Sequence, residues 1–322
     1  MSSGSEHAAA GGESTPASMA ALGVQYAQAP DNEAQARARY FNSANAFNVK
    51  LSEVPSGIFT SPIDHARCQP RTAWHACNQA DQLGSAWPAT TPFMLARYAR
   101  VQPGETLHAD FIASGAICYV IEGSVAVQVP GEALHACAGD VLLLPGRMAI
   151  TASAEVPALL WVVTDEPLLA HHGLQPATSS ASHAPVHFKA EDIAHQIALI
   201  HKTQPDAGTS GMAVVFASEA HQERRNLMPA LTLSLNTLPP QASQAPHRHN
   251  SAALTLVLAG ERAYSLVDGQ RCDWSPGATL VTPAGAPHSH HNDGSYRADF
   301  LIVQDGGLYY EARTMGFAFL NT

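Results

Sequence analysis

From about residue 50 onward the chain is built of short apolar runs broken by glycine and proline. FMLARYARV (93–101), ICYVIEG (117–123), VAVQV (125–129) and VLLLPG (141–146) form one series. MAVVF (212–216), LTLSL (231–235), ALTLVLAG (253–260), AYSLV (263–267), ATLVTP (278–283) and DFLIVQ (299–304) form a second. Runs this short, with turn residues between them, suit the strands of an all-β barrel or sandwich. Helical spacing shows in two stretches. Asn32 to Phe47 carries it with Asp31 placed to cap the start. KAEDIAHQIALIHK (189–202) brings Ile193, Ile197 and either Leu199 or Ile200 to one side, which predicts a short amphipathic helix packed on a barrel.

The two series also repeat each other. Pro103 stands 20 residues before Gly123, and Pro240 stands 20 before Gly260; Gly139 stands six before Pro145, and Gly277 six before Pro283. Turn residues at matching offsets predict a duplicated barrel. Between the series, PATSSASHAP (176–185) has the composition of a linker. Residues 1–30, rich in Ala, Ser, Gly and Gln, offer little burial to offset ordering entropy. The expected layout is therefore a disordered tail over 1–30, a first β domain over 31–165, a linker over 166–188 and a second β domain over 189–322.

Composition narrows the partners. The 322 residues are 46% hydrophobic, enough for two cores, and only 14% charged, with a formal net charge of -10. That charge and the lack of any Lys/Arg run argue against nucleic acid. No apolar stretch reaches the roughly 18 to 20 residues needed to cross a bilayer, and the first 22 residues lack a basic start followed by an apolar segment, so a cytoplasmic protein with no membrane partner is expected. The five cysteines (Cys68, Cys77, Cys118, Cys137 and Cys272) are scattered with no C-x-x-C pair and read as free thiols.

Chemistry concentrates in the second series. In PHRHN (246–250), His247 and His249 flank Arg248 at the start of a strand-like run, so both imidazoles would point into a barrel and Arg248 out of it. Gly277, Pro283-Ala284-Gly285, His288 and Asn292 follow at intervals of five, two and three intervening residues. This pattern resembles the cupin superfamily, whose second motif has the same spacing. The first motif is present in reduced form as His247, His249 and Gly260, with Ala253 where its usual Glu would fall and Gln241 in place of its opening Gly. The resemblance implies two jelly-roll barrels of the double-stranded β-helix type with a few short helices. It also implies one divalent metal per chain on His247, His249 and His288, because alignment of the first half puts Asp110, Ile112 and Ile150 at the ligand positions. His108 and His135 lie nearby and are read as loop residues. Three neutral imidazoles leave the opposite coordination positions open. With no anionic protein ligand, the site keeps the metal's full charge and should favour an anionic, chelating substrate.

Within the superfamily the chain is most similar to the gentisate and salicylate 1,2-dioxygenase group, which shares the H-R-H run and the P-x-x-x-H-x-H-x-N stretch seen at Pro283 to Asn292. That similarity implies Fe(II) as the metal, O2 as co-substrate, and ring cleavage of extradiol or gentisate type on a small hydroxylated aromatic or enolic molecule, in a homo-oligomer. It implies that His290 lines the substrate site as a catalytic residue. Ala253 and Thr255, on the same face as the ligands, would line the pocket. The family's carboxylate-gripping Arg falls at Thr255, and Thr cannot form its bidentate fork. Gentisate itself is therefore not expected to be the preferred substrate. Two further readings stay open: a zinc- or manganese-dependent isomerase or hydrolase, and a non-catalytic small-molecule-binding cupin.

Overall fold

In the computed structural model, which describes residues 17–176, 184–203 and 211–320, the apolar runs form antiparallel strands that close into two successive barrels. A six-stranded sheet of the first barrel runs in the order Val186–Phe188, Val141–Pro145, Gly115–Glu122, Ala158–Thr164, Leu95–Val101, Ala73–Ala76. Its partner sheet runs Thr106–Ala109, Ile150–Ser153, Ser124–Val129, Glu132–Cys137. The second barrel repeats the plan, with one sheet of Met212–Phe216, Thr232–Leu238, Ala298–Gln304, Ala253–Ala259, Thr279–Thr282 and Gly57–Phe59. Its other sheet holds Gln270–Asp273, Ala263–Val267, His288–Asn292, His247–His249 and Phe317–Phe319, with Ala242–Ser243 also paired to His288–Asn292.

Period-two alternation explains why the central strands read as unbroken apolar runs. In Ala158–Thr164, Leu160 and Val162 enter the core of the first barrel, while Leu159, Trp161 and Val163 enter a second core shared with Leu254, Val281, Leu301 and Val303 of the other barrel. The large sheets thus pack on each other, and both faces are buried. The duplication is visible in the turns: Gly139 (φ +95°) donates its N–H to the Val120 carbonyl at 2.8 Å, and Gly277 (φ +88°) donates to Val257 at 2.7 Å. Glycine adopts that left-handed backbone without a Cβ penalty.

Chain and architecture interleave. Gly57–Phe59 pairs with Thr279–Thr282 of the second barrel, although it precedes the first in sequence. The stretch expected as a linker contains the helix Glu166–His172 and the strand Val186–Phe188, which joins the first barrel beside Val141–Pro145; residues 177–183 lie outside the described residues. The amphipathic helix runs Ala190–His201 and buries Ile193 and Ile197, with Ile200 half-buried and Leu199 exposed.

Both barrels fall in one unit, Glu53–Thr322, and Met1–Ser52 forms another. In that smaller unit the helix expected over Asn32 to Phe47 is a single turn, Glu33–Ala36, capped by Asn32 rather than Asp31, and Arg39–Tyr40 pairs with Gln25–Tyr26. None of its helical residues is buried, so it lacks the packing that holds short helices together. Asn42 accepts from the Ala44 N–H and so offers the backbone a turn instead. Residues 1–16 of the expected tail lie outside the described residues, and Met19–Ala21 form a 3-10 turn. No helix among the described residues is long and apolar enough to cross a membrane.

Candidate metal centre

The strand His247–His249 lies between His288–Asn292 and Phe317–Phe319, and its register pairs His247 directly with His288. His247 and His249 share the buried face while Arg248 is exposed, as alternation along a strand requires. The three imidazoles converge. One ring nitrogen of each lies within 4.8 Å of the others, and ring centroids are 4.2 Å apart for His247 and His288 and 4.7 Å for His249 and His288.

Each ring is held by the backbone. The Nδ1–H groups of His247, His249 and His288 donate to the carbonyls of Ala245 (2.8 Å), Ser251 (2.7 Å) and Ala286 (2.8 Å). A carbonyl can only accept, so the proton sits on Nδ1 and the lone pair on Nε2. Burial pushes all three imidazoles toward the neutral form, His288 down to about 3. Neutral rings with free Nε2 lone pairs and carbonyl-fixed orientation are the donor set a divalent cation takes. The residues therefore fit a metal. The Gln304 amide, 3.2 Å from Nε2 of His249, confirms that this lone pair faces an accessible partner.

His290 lies behind His288 on the same face, 2% exposed. The Trp274 indole N–H donates to Ser265 Oγ (2.9 Å), which donates to Nδ1 of His290 (2.7 Å). An indole nitrogen only donates, so among the described residues Nδ1 of His290 is the acceptor left for the Ser265 hydroxyl proton, and that donation leaves the imidazole proton on Nε2. Burial holds it well below the ordinary histidine range. His290 is consequently a fixed neutral donor.

All six candidate residues, His247, His249, Ala253, Thr255, His288 and His290, line one cavity of about 380 Å³. Ser234, Asn236, Thr282, Ile302 and Gln304 complete its wall, with Val215, Arg225, Tyr310, Met315 and Phe317 also lining it. No Asp or Glu is among the described residues that line it. The Thr255 hydroxyl is buried in this wall without a hydrogen-bond partner among the described residues. Sequence reading passed over Gln304, Ser265 and Trp274. For Gln304 a signal existed: it continues the inward face of Phe300 and Ile302, and a polar residue on an otherwise apolar face stands out. Gln241, at the motif's Gly position, adopts φ +59°.

The first barrel is filled instead. Leu107, Phe111, Val127, Leu144, Ile150 and Leu160 occupy its interior and leave a void of about 30 Å³. Ile112 and Asp110 are exposed, as are His108 and His135.

Residues 234–304, which span all three metal-facing histidines, match the family model of the cupin domain. The gentisate 1,2-dioxygenase of Ralstonia sp is 35% identical over 98 residues, 30% of this chain; the match takes in only 28% of that relative's length. Among solved structures, the salicylate 1,2-dioxygenase of Pseudoaminobacter salicylatoxidans as its gentisate adduct aligns with TM-score 0.69 and 17% identity, covering 85% of this chain and 87% of that one. Another structure of the salicylate enzyme gives 0.68 and 18%, covering 84% and 89%. At such identities the likeness is one of fold, and it extends over both barrels rather than the histidine-bearing one alone. Residues 234–304 thus carry a cupin domain, and the two-barrel fold around them is similar to that of the salicylate 1,2-dioxygenase.

Proposed function

We propose that the protein is a dioxygenase that binds one Fe(II) through His247, His249 and His288 and cleaves a small hydroxylated aromatic or enolic substrate with O2. The observation that carries this reading is the set of three neutral imidazoles, each with its Nδ1–H tied to a backbone carbonyl, on the wall of a cavity without a carboxylate. Such a metal, when bound, supplies open coordination positions and the one-electron chemistry that O2 requires.

The chain's own residues do the rest. The carbonyls of Ala245, Ser251 and Ala286 keep three lone pairs aimed at one point, so no reorientation is needed on loading. Ala253 leaves space where a longer side chain would fill the cavity, and Ile302 and Phe317 keep part of its wall dry. His290 offers an N–H to an oxygen of the substrate, and the Ser265–Trp274 chain holds that proton on Nε2. Thr255 presents a hydroxyl in place of a guanidinium, which should cost gentisate roughly 30- to 1,000-fold in selectivity relative to a gripped carboxylate.

Oxygen uptake by anaerobically purified, Fe(II)-loaded protein tests the reading against gentisate, salicylate, substituted salicylates and carboxylate-free phenols. A hydroxylated aromatic that drives O2 consumption, with no turnover when O2 is withheld, supports it. Turnover without O2 on zinc or manganese would instead establish the isomerase or hydrolase reading, and stable binding without turnover the binding-module reading.

A further inference from the structure

The cavity contains one permanent cation. Arg225 lies in its lining, and it makes no ion pair, side-chain hydrogen bond or ring contact with any described residue. Three other arginines of this barrel are engaged: Arg224 with Glu311 (2.8 Å), Arg297 with Asp299 (2.7 Å) and Arg313 with Glu311 (3.4 Å). None of them lines the cavity. The backbone of Arg225 is also held in place. It caps the 3-10 turn Glu219–Arg224 at φ +54°, with its N–H on the Gln222 carbonyl at 3.2 Å. The Arg224–Glu311 pair ties this turn to the helix Gly306–Ala312, which contributes Tyr310 to the same cavity.

Position decides what such a cation recognises. The three histidines and Thr255 are buried to within a few per cent of full burial, whereas Arg225 is exposed, so the positive charge stands at the mouth and not beside the metal-facing nitrogens. Around it the rim is apolar and half-exposed, with Val215 at 57%, Phe317 at 46% and Tyr310 at 45%. An apolar ring of side chains with one unpaired guanidinium matches a flat hydrophobic body carrying an anion at its outer end.

On the dioxygenase reading above, we infer that Arg225 is a specificity-determining residue that selects substrates whose anionic group lies remote from the chelating oxygens. The substrate enters with its oxygen pair toward His247, His249 and His288 and its anion on Arg225. Thr255 then hydrogen-bonds the body of the substrate at the deep wall, where its hydroxyl has no other partner among the described residues.

Isothermal titration calorimetry on anaerobic, Fe(II)-loaded protein tests this with three probes: catechol, 3,4-dihydroxybenzoate and salicylate. Catechol has a chelating pair and no carboxylate, 3,4-dihydroxybenzoate has the same pair with a carboxylate across the ring, and salicylate chelates through its carboxylate. The wild-type protein should bind 3,4-dihydroxybenzoate about 5- to 30-fold more tightly than catechol, between the worth of an exposed ion pair and that of a charge-assisted hydrogen bond. Arg225→Gln should remove that advantage and Arg225→Lys should keep part of it, with catechol and salicylate affinities held within about twofold. Equal binding of the two dihydroxy probes by wild type, or loss of all three in Arg225→Gln protein that retains its metal, would overturn the assignment. Absence of binding by any probe to metal-loaded protein would overturn the chelating pocket itself.

Discussion

Ser265 donates its hydroxyl to Nδ1 of His290 at 2.7 Å, the acceptor left to that proton among the described residues, since Trp274 on the other side can only donate to Ser265 Oγ. His290 therefore keeps its only proton on Nε2. Ser265→Ala removes the constraint and leaves the Trp274 indole without its acceptor. Turnover should fall about 10- to 100-fold with metal content unchanged, and Ser265→Thr should restore most of it. Nitrogen chemical shifts of the His290 ring check the cause: the mutant should show Nδ1–H population absent from wild type.

A similar chain joins the barrels. Trp161 N–H donates to Thr279 Oγ1 (2.9 Å), and the Tyr98 hydroxyl, 2.7 Å from Thr279 Oγ1, donates to the Gly277 carbonyl at 2.5 Å. Since Tyr98 has one proton and gives it to Gly277, Thr279 donates to Tyr98. Thr279→Val keeps the shape but strips a buried acceptor from Trp161 and a donor from Tyr98. Chemical denaturation should show a loss of about 2 to 4 kcal/mol. Metal binding at low denaturant should persist, because Thr279 touches none of the histidines.

Asp305, at the start of the helix Gly306–Ala312, is 2% exposed and accepts from the Ala252 N–H at 2.8 Å, yet burial pushes its carboxyl up to about 7. With a folded value above the unfolded 3.8, the native state holds the proton longer. Its contribution is present below about pH 4 and lost as pH rises toward about 7. Asp305→Asn keeps an acceptor and removes the ionisation. Its stability relative to wild type should rise across that window by on the order of 2 to 4 kcal/mol and level off above it, as read from denaturation midpoints at several pH values.

Much of the fold was legible because strands in a barrel obey a two-residue period and end at turn residues. The runs around Gly123, Gly139, Gly260 and Gly277 mark their own boundaries, and alternation alone pairs His247 with His249 and Ala253 with Thr255; the expectation that all four share one face is corrected by the chain changing sheets between the two pairs, which then meet across the barrel's cavity. The stretch after Asn32 misled because helical spacing without anything to pack against does not make a helix; its asparagines favour turns instead. Pairing of Gly57–Phe59 with Thr279–Thr282 is set by tertiary contact across most of the chain, and no local pattern encodes it. The same holds for Arg225, which reaches the cavity from a 3-10 turn with no period of its own, and for Ser265 and Trp274, whose role comes from meeting His290 across strands.

The central claim is that His247, His249 and His288 together hold a single metal. Its most direct test is the metal content of anaerobically purified protein, measured by elemental analysis for wild type and for His288→Ala, with His108→Ala as a control from the first barrel. We expect about one divalent metal per chain in wild type and in the control, and close to none in His288→Ala, where only two of three protein ligands remain. Stoichiometric metal in His288→Ala would contradict the account.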